Sequence, residues 1–224
     1  MRNKRIVILD LDGTVFRSVR WSIEIFCNML SVHGVTVTPE LRREVARRWG
    51  AKTQTVKDRL FTHLPDETIN RFYWMINSTI EIVPFIGMRQ ALETMQGRGL
   101  DLYVLSARGR VGAYRMLGRF GLRDLFTRVI CMPDVGLGNA KPSPRGLEMI
   151  LAPLEKTFGV SRDEAVFVGD GIHADMLCAQ NAGVEFVAAH EEDVITRADW
   201  IEAGVAESNI IRSVRDLPAW LGIT

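Results

Sequence analysis

Two carboxylates stand at the end of a short apolar segment near the beginning of the chain. Ile6–Leu9 is a run of β-branched and aliphatic residues, and Asp10 and Asp12 follow it. Two like charges beside a buried segment are unfavourable unless a cation or hydrogen-bond donors offset them. The pair therefore indicates a site that needs acidic oxygen atoms and a positive partner for them.

Other polar residues stand at the ends of apolar runs further along the chain. Ser106 and Asp170 each end such a run, whereas Lys141 and Asp175 lie just before predicted helices. In an open parallel sheet, ligands bind beyond the carboxyl ends of the strands. If these runs form such a sheet, residues that are distant in sequence converge with the two aspartates on one edge.

This set of residue types indicates a particular chemistry. Several carboxylates in one place need a hard cation, and an all-oxygen ligand set suits Mg²⁺. Ser106, the neighbouring backbone amides and Lys141 can donate hydrogen bonds to an anionic group. A site that binds Mg²⁺ and holds an anion is typical of phosphoryl transfer, in which positioning and charge neutralisation supply most of the catalysis.

The elements that must position these residues follow from the apolar pattern. Short runs without polar alternation are typical of strands that are covered on both faces. Helical patterns lie between them: Pro144 opens a helix that Gly159 ends, with Pro153 as a candidate kink, and Asp175–Ala182 forms a shorter helix. The alternation predicts an α/β fold with a doubly wound, Rossmann-like parallel sheet. The predicted strands are RIVILD, LDLYVLS, TRVICM, EAVFVGD and EFVAAH.

The segment from Arg17 to about Val83 breaks this alternation. It contains helical patterns and no convincing buried strand. We predict an inserted all-helical subdomain over residues 17–84, in a catalytic core formed by residues 1–16 and 85–224. Hinges are expected near Phe16–Ser18 and Pro84–Gly87. The predicted helices are SIEIFCNML, PELRREVARRW and ETINRFYWMINSTIEIV.

Side-chain spacing within the insert gives further expectations. Arg43 and Arg47 share a helix face that is expected to be solvated, and Glu44 and Arg48 have the spacing of an ion pair. Apolar residues at helical spacing are predicted to pack in a core. They are Trp21, Ile25 and Leu30, together with Phe72, Met75, Ile76 and Ile80.

Composition narrows the class of protein. The chain has 224 residues, 47% of them apolar and 25% charged, and a net charge of +1, so no charge excess points to nucleic acid or to an anionic membrane. No apolar run is long enough to span a bilayer, and the first one is too short for a secretory signal. The 3 cysteines lack metal-ligand spacing. We expect a soluble cytoplasmic protein.

Four motifs in the chain resemble those of the haloacid dehalogenase superfamily, in the same order. They are DLDGT, LSARG, AKPSP and GDGIHAD. The resemblance covers the whole chain, because the helical insert corresponds to the cap that these enzymes carry between the first and second motifs. It implies the phosphatase branch of the superfamily, similar to phosphoglycolate phosphatase or β-phosphoglucomutase.

The resemblance implies roles for the two aspartates of the first motif. Asp10 would be the nucleophile that forms an aspartyl-phosphate. Asp12 would protonate the leaving oxygen and then activate water. The surroundings of the two are expected to leave Asp12 easier to protonate than Asp10.

The resemblance also implies a Mg²⁺ site. Its ligands would be the carboxylates of Asp10 and Asp170 and the backbone carbonyl of Asp12, with Asp175 as a ligand or as a residue that orients one. His173, between the last two acids, is expected to be a loop residue because Mg²⁺ prefers oxygen. Asp134, at the end of another strand, is expected to approach the metal.

Ser106, Lys141 and the amide of Ala107 would bind the phosphoryl group in this family. Ala107 stands where many of these phosphatases carry Asn, which removes one side-chain donor. Arg108 and Arg17 are candidate substrate contacts, although each could equally be a surface arginine.

We therefore expect a Mg²⁺-dependent phosphomonoesterase that acts on a small phosphorylated metabolite, as a monomer or homodimer. One alternative is a phosphomutase of the β-phosphoglucomutase kind, which would return the phosphoryl group to a sugar. Another is a non-catalytic binding module on the same scaffold, although it would not need to retain the complete set of acids with Ser106 and Lys141.

Overall fold

A computed structural model of the chain describes residues 2–49, 65, 67–68 and 82–223. Six strands form one parallel sheet in the order β5-β4-β1-β6-β7-β8, and β2 pairs with β3 in an antiparallel ribbon. The strands are β1 (Ile6–Leu9), β2 (Phe16–Arg17), β3 (Val83–Pro84), β4 (Asp101–Ser106), β5 (Arg128–Cys131), β6 (Ala165–Gly169), β7 (Glu185–Ala189) and β8 (Ile210–Ile211).

The sheet confirms the predicted α/β, doubly wound fold. All the strands expected from the apolar runs are present, and β8 is an additional strand at the edge of the sheet. Its two residues, Ile210 and Ile211, are too short a run to be recognised in the sequence. The order of strands reverses at β1, which has β4 on one side and β6 on the other.

Helices cover both faces of the sheet. In the described ranges they are α1 (Val19–Val32), α2 (Pro39–Arg48), α3 (Met88–Gly97), α4 (Arg110–Arg119), α5 (Met132–Val135), α6 (Arg145–Phe158), α7 (Leu177–Ala182), α8 (Arg197–Glu202) and α9 (Leu217–Leu221). Helix α6 continues through Pro153 and ends at Gly159 in the left-handed conformation. The helix predicted from Asp175 instead begins as one turn of π-helix, Ile172–Met176, before α7.

Two hydrophobic clusters hold this layered core together. Val7 and Leu9 of β1 pack in the cluster that includes α3, α4 and α9. Ile6 and Ile8 face the opposite cluster, which includes α6, α7 and α8. Every residue of β1 is at most 1% exposed. The carboxyl end of β1 is therefore the end of a completely buried strand in the middle of the sheet.

The insert contributes a third cluster. Residues of α1 and α2, among them Phe26, Leu30 and Val45, pack together and against Val194 of the core. The β2–β3 ribbon pairs Phe16 with Pro84 and Arg17 with Val83, so the two ends of the predicted insert lie side by side. The third predicted helix, with Phe72, Met75, Ile76 and Ile80, lies outside the described residues.

Two side-chain expectations for the insert are wrong. Trp21 does not pack in a core, because it is 63% exposed on α1. Arg47 is not simply solvated: its Nη2 donates to Asp199 Oδ1 at 2.6 Å and to Glu202 Oε2 at 2.7 Å, which ties α2 to α8. The sequence does not reveal such contacts because the partners are more than 150 residues away. The predicted ion pair between Glu44 and Arg48 is present.

A residue of the core caps the first helix of the insert. Ser18, at the N-cap of α1, does not bond to its own helix with its side chain. Glu192, from the loop after β7, accepts hydrogen bonds from the backbone N–H groups of Val19 at 2.8 Å and Arg20 at 3.2 Å. Arg20 in turn donates from its guanidinium to the Glu192 carbonyl. The first turn of a helix leaves N–H groups without intrahelical partners, and Glu192 satisfies two of them.

No helix in the described ranges is both long and apolar enough to span a membrane.

Replacing Glu192 by alanine should lower the free energy of unfolding by about 1–3 kcal/mol, because the buried N–H of Val19 and the partly buried N–H of Arg20 lose their acceptor. Urea denaturation would measure the change. Glu192→Gln is the matched control, since its amide oxygen can still accept both bonds, and it should lose less. Equal losses for the two variants would mean that the side chain does not act as a cap.

Candidate active site

Three adjacent strands deliver acidic and hydroxyl side chains to one edge of the sheet. Asp10 directly follows β1, and its N–H donates to the Val168 carbonyl at 2.9 Å, which continues the ladder to β6. Ser106 is the last residue of β4, and Asp170 follows β6. Because β1 lies between β4 and β6, the three residues meet at the point where the strand order reverses.

A buried lysine joins two of the acids. Lys141 Nζ lies 2.6 Å from Asp10 Oδ1 and 2.6 Å from Asp175 Oδ1, and it also donates to the Leu105 carbonyl at 3.4 Å. Lys141, Asp10 and Asp175 are 7%, 6% and 2% exposed. A lysine is rarely buried to this extent unless it is paired, and here two carboxylates hold it.

Asp170 completes an acidic cluster with Asp10 and Asp175. Carboxylate oxygens of the three lie within 4.8 Å of one another. Asp170 accepts a hydrogen bond from the Thr14 hydroxyl at 3.4 Å, and Asp175 Oδ2 accepts one from the Gly171 N–H at 3.0 Å. These donors fix the orientation of both carboxylates without neutralising them.

The electrostatics show that the cluster carries more negative charge than its own cation offsets. Burial, together with the neighbouring acids, raises the pKa of Asp10 and raises that of Asp170 well above its usual range. The carboxylates of Asp10 and Asp175 overcome the effect of burial and raise the pKa of Lys141, so this amine stays charged. One ammonium group for three carboxylates leaves a place for a further cation.

Glycines allow the acids to approach so closely. Gly13 has φ of +77°, and a Cβ there would lie 2.0 Å from Asp170 Oδ2. A Cβ at Gly169 would lie 2.5 Å from the Asp175 Cγ atom. A side chain at either position would displace a carboxylate.

Asp12 lies in a different environment from Asp10. Arg108 binds it through two hydrogen bonds, from Nε to Oδ2 at 2.6 Å and from Nη2 to Oδ1 at 2.7 Å. The Ser18 hydroxyl donates to the same Oδ1 at 2.6 Å. The side chain of Asp12 is 27% exposed, and that of Arg108 is 10% exposed.

The protein groups by themselves favour the reverse of the order expected for a metal-bound Asp10. Although burial acts to raise the pKa of Asp12, the Arg108 guanidinium and the Ser18 hydroxyl hold it below its ordinary value. The pKa of Asp10 is raised, so Asp10 is the easier of the two to protonate. No feature of the sequence indicates that Arg108 pairs with Asp12.

The polar groups of the second motif, LSARG, lie at the end of β4 and in the short loop that follows it. Ser106 is 2% exposed, and its Oγ accepts a hydrogen bond from the Arg108 N–H at 3.1 Å. Ala107, between them, is exposed at the surface of the site. Ser106, Ala107, Asn139 and Lys141 line the same small cavity.

Some candidate residues take other positions. Arg17 is exposed on β2, whereas Arg108 pairs with Asp12. Asp134 does not join the acidic cluster as expected: it accepts a hydrogen bond from the Cys131 N–H at 2.8 Å and pairs with Arg110. His173 lies in the π-helical turn before Asp175.

Two residues that orient the acids, and a third that caps α1, were not predicted from the sequence. Thr14 and Ser18 are hydrogen-bonded to Asp170 and Asp12. Glu192 caps α1 and also contributes to the raised pKa of Asp170. A signal for Glu192 was present, since the polar run HEED directly follows a predicted strand, as the other site residues do.

The fold and the site together define a class of protein. A doubly wound parallel sheet carries an acidic cluster with a buried lysine at the carboxyl ends of its central strands. Residues 7–189 match the family described as haloacid dehalogenase-like hydrolase. The chain belongs to this family, and the family expected from the four motifs is confirmed.

Curated relatives include enzymes that act on phosphate groups. The chain is 29% identical over 146 residues to the pyrophosphatase PpaX of Halalkalibacterium halodurans, a match that covers 63% of this chain and 61% of the relative. It is 25% identical over 189 residues to a phosphoglycolate phosphatase of Agrobacterium fabrum, covering 80% and 77%. The first match thus spans about three fifths of the relative's length.

A solved structure shares the complete fold. A haloacid dehalogenase-like protein from Agrobacterium tumefaciens strain C58 superposes with a TM-score of 0.77 and covers 98% of both chains. Its sequence identity is only 20%, so this likeness concerns the fold alone.

Replacing Gly13 by alanine should force the Asp170 carboxylate out of the cluster. Gly34→Ala is a matched control, because Gly34 also has a positive φ, +82°, but a Cβ there would have no neighbour within 4 Å. We expect Gly34→Ala to cost about 1–2 kcal/mol of unfolding free energy from the left-handed backbone alone. Gly13→Ala should lower the free energy of unfolding clearly more, as measured by urea denaturation. Equal losses in the two variants would contradict the close approach of Gly13 to the Asp170 carboxylate.

Proposed function

We propose that the protein is a Mg²⁺-dependent phosphomonoesterase that hydrolyses a small phosphorylated metabolite through an aspartyl-phosphate on Asp10. The observation that carries this proposal is the buried cluster in which Lys141 bridges Asp10 and Asp175 beside Asp170. The pyrophosphatase and phosphoglycolate phosphatase names of the relatives support hydrolysis at phosphorus.

The donor set fits Mg²⁺. It consists of oxygen atoms, three carboxylates lie within 4.8 Å of one another, and one lysine leaves their charge incompletely balanced. We propose Asp10, Asp170 and the Asp12 backbone carbonyl as ligands, with Asp175 as a ligand or as the residue that orients one. When bound, Mg²⁺ would neutralise charge on the phosphoryl oxygens and favour the ionised form of Asp10.

The first half of the reaction transfers the phosphoryl group to the enzyme. A carboxylate oxygen of Asp10 attacks phosphorus, and the bond between phosphorus and the ester oxygen breaks. Asp12 donates a proton to that oxygen, which leaves as an alcohol. Lys141, Ser106 and the Ala107 amide would hold the phosphoryl oxygens during the transfer.

The second half regenerates the carboxylate. Asp12, now ionised, accepts a proton from a water molecule that attacks the phosphorus of the aspartyl-phosphate. The bond between phosphorus and the Asp10 oxygen breaks and releases inorganic phosphate. Across both halves one water molecule is consumed and one alcohol is formed, as monoester hydrolysis requires.

We propose that residues 17–84 act as a cap over a core of residues 1–16 and 85–224. Helix α1 is attached to the core loop that carries Glu192, and Ser18 contacts Asp12 at the hinge. Movement at this hinge would change the surroundings of Asp12 directly and exclude water from the transfer step.

Wild-type protein with Mg²⁺ should release inorganic phosphate from at least one member of a panel of sugar, nucleotide and short-chain acid phosphates. Asp10→Asn should abolish the release, and Asp12→Asn should lower kcat by roughly 10²–10⁴-fold. Asp163→Asn, at an exposed loop acid, is the control and should leave the rate unchanged. The absence of release from every ester by folded wild-type protein would refute the proposed function.

Mg²⁺ should raise the melting temperature of the wild-type protein, because it relieves the repulsion among the three carboxylates. At a concentration about 100 times its Kd the stabilisation would be about 2.7 kcal/mol. Without metal, the Asp170→Asn variant should have a melting temperature no lower than that of wild type. With Mg²⁺, it should show little of the rise in melting temperature that wild type shows. Calorimetry of both variants with and without EDTA is the measurement, and an equal shift in both would exclude Asp170 as a ligand.

A further inference from the structure

The contact between Arg108 and Asp12 has a consequence for the choice of substrate. Arg108 Nε and Nη2 bind the two oxygens of Asp12 at 2.6 and 2.7 Å, and Ser18 donates to one of them at 2.6 Å. A carboxylate has about four acceptor positions, so these bonds fill most of them. In this arrangement protein groups engage both oxygens of Asp12 and compete with the leaving group of a substrate for them.

Arg108 is the partner that can move away. Ser18 is 1% exposed at the start of α1, whereas Arg108 has a long side chain on the loop after β4. That loop has exposed residues, Ala107 and Gly109, on either side of Arg108. Moving the Arg108 side chain away from Asp12 therefore requires less rearrangement than moving Ser18 together with helix α1.

The group that replaces Asp12 on Arg108 must be an anion. The guanidinium stays charged and is only 10% exposed, so it needs a partner that satisfies both arms of the fork. Carboxylate and phosphate are the two groups whose oxygens match that fork. Two other arginines nearby are engaged in the described structure: Arg110 pairs with Asp134, and Arg20 donates to the Glu192 carbonyl.

The position of Arg108 fixes where this anion lies. Arg108 is two residues beyond Ser106, and its N–H donates to the Ser106 hydroxyl at 3.1 Å. It therefore adjoins both the proposed phosphoryl site and the proton donor of the leaving group. An anion bound to its side chain would be only a few bonds from the ester oxygen.

We propose that Arg108 binds a second acidic group on the leaving-group side of the substrate and that this group exchanges with Asp12 on the guanidinium. The inference rests on the proposed phosphatase function and deepens it by naming the substrate class. The substrates are phosphate esters of short acids, or phosphoanhydrides, with a carboxylate or a second phosphate close to the scissile bond.

The test compares substrates that differ in this second group. 2-Phosphoglycolate carries a carboxylate, inorganic pyrophosphate carries a phosphate, and 2-hydroxyethyl phosphate has a neutral hydroxyl in the same place. Values of kcat and KM are measured with Mg²⁺ for wild type, Arg108→Gln and Arg108→Lys. Arg110→Gln is the matched control, since the Arg110 side chain is 62% exposed at the start of α4 and pairs with Asp134.

We expect wild type to prefer at least one acidic substrate to 2-hydroxyethyl phosphate. Arg108→Gln should raise KM for that acidic substrate by roughly 10- to 100-fold, as expected for the loss of a charge-assisted pair of hydrogen bonds, and by a smaller factor for the neutral ester. Arg108→Lys keeps the positive charge but loses the two-armed guanidinium, so its KM for the acidic substrate should lie between those of wild type and Arg108→Gln. Arg110→Gln should leave the ratio between substrates as in wild type.

A binding measurement separates recognition from turnover. Asp10→Asn protein cannot form the aspartyl-phosphate, so calorimetric titration with 2-phosphoglycolate and Mg²⁺ reports affinity alone. Adding Arg108→Gln to this variant should weaken binding by a similar factor, and circular dichroism of each variant verifies its fold.

Equal losses on acidic and neutral substrates in Arg108→Gln would overturn the inference and leave the phosphatase function intact. So would a selectivity that disappears in Arg17→Gln rather than in Arg108→Gln, because Arg17 is exposed on β2 and would then be the receptor. A wild type that releases no phosphate from any ester would instead overturn the proposed function, and the two failures are therefore distinguishable.

Discussion

The structure depends on one electrostatic constraint: several carboxylates must be held at the end of a completely buried strand. The strand cannot solvate Asp10, so the charge is balanced locally by Lys141, which reaches Asp10 and Asp175 at 2.6 Å each. This balance is incomplete, because Asp170 belongs to the same cluster. The remaining charge is the physical basis for the proposed binding of a divalent cation and, through it, of a phosphoryl group.

The same constraint shapes the backbone around the cluster. Gly13 and Gly169 leave room for carboxylates where any side chain would collide with them. Thr14 and the Gly171 N–H then orient those carboxylates without cancelling their charge. The carboxylates of the acidic cluster are therefore held in fixed orientations, but their negative charge is not fully balanced. This combination suits reversible binding of a metal ion.

Asp12 connects this rigid cluster to the helical insert. Its carboxylate accepts hydrogen bonds from Arg108, on the loop after β4, and from Ser18, the N-cap residue of α1. Ser18 is free to do so because Glu192 caps the helix in its place. A change at the start of α1 would therefore reach Asp12 through the Ser18 hydroxyl, whereas the acidic cluster is held by the neighbouring strands.

The parallel sheet and most of the residues at its edge follow from the amino-acid sequence alone. Apolar runs specify buried strands, and polar residues that end such runs must gather where the strands end, as Asp10, Ser106 and Asp170 do. Only the tertiary structure decided the pairing of Arg108 with Asp12, the capping by Glu192, the edge strand β8 and the exposure of Trp21. These features depend on which side chains meet across long sequence separations, and local periodicity carries no information about that.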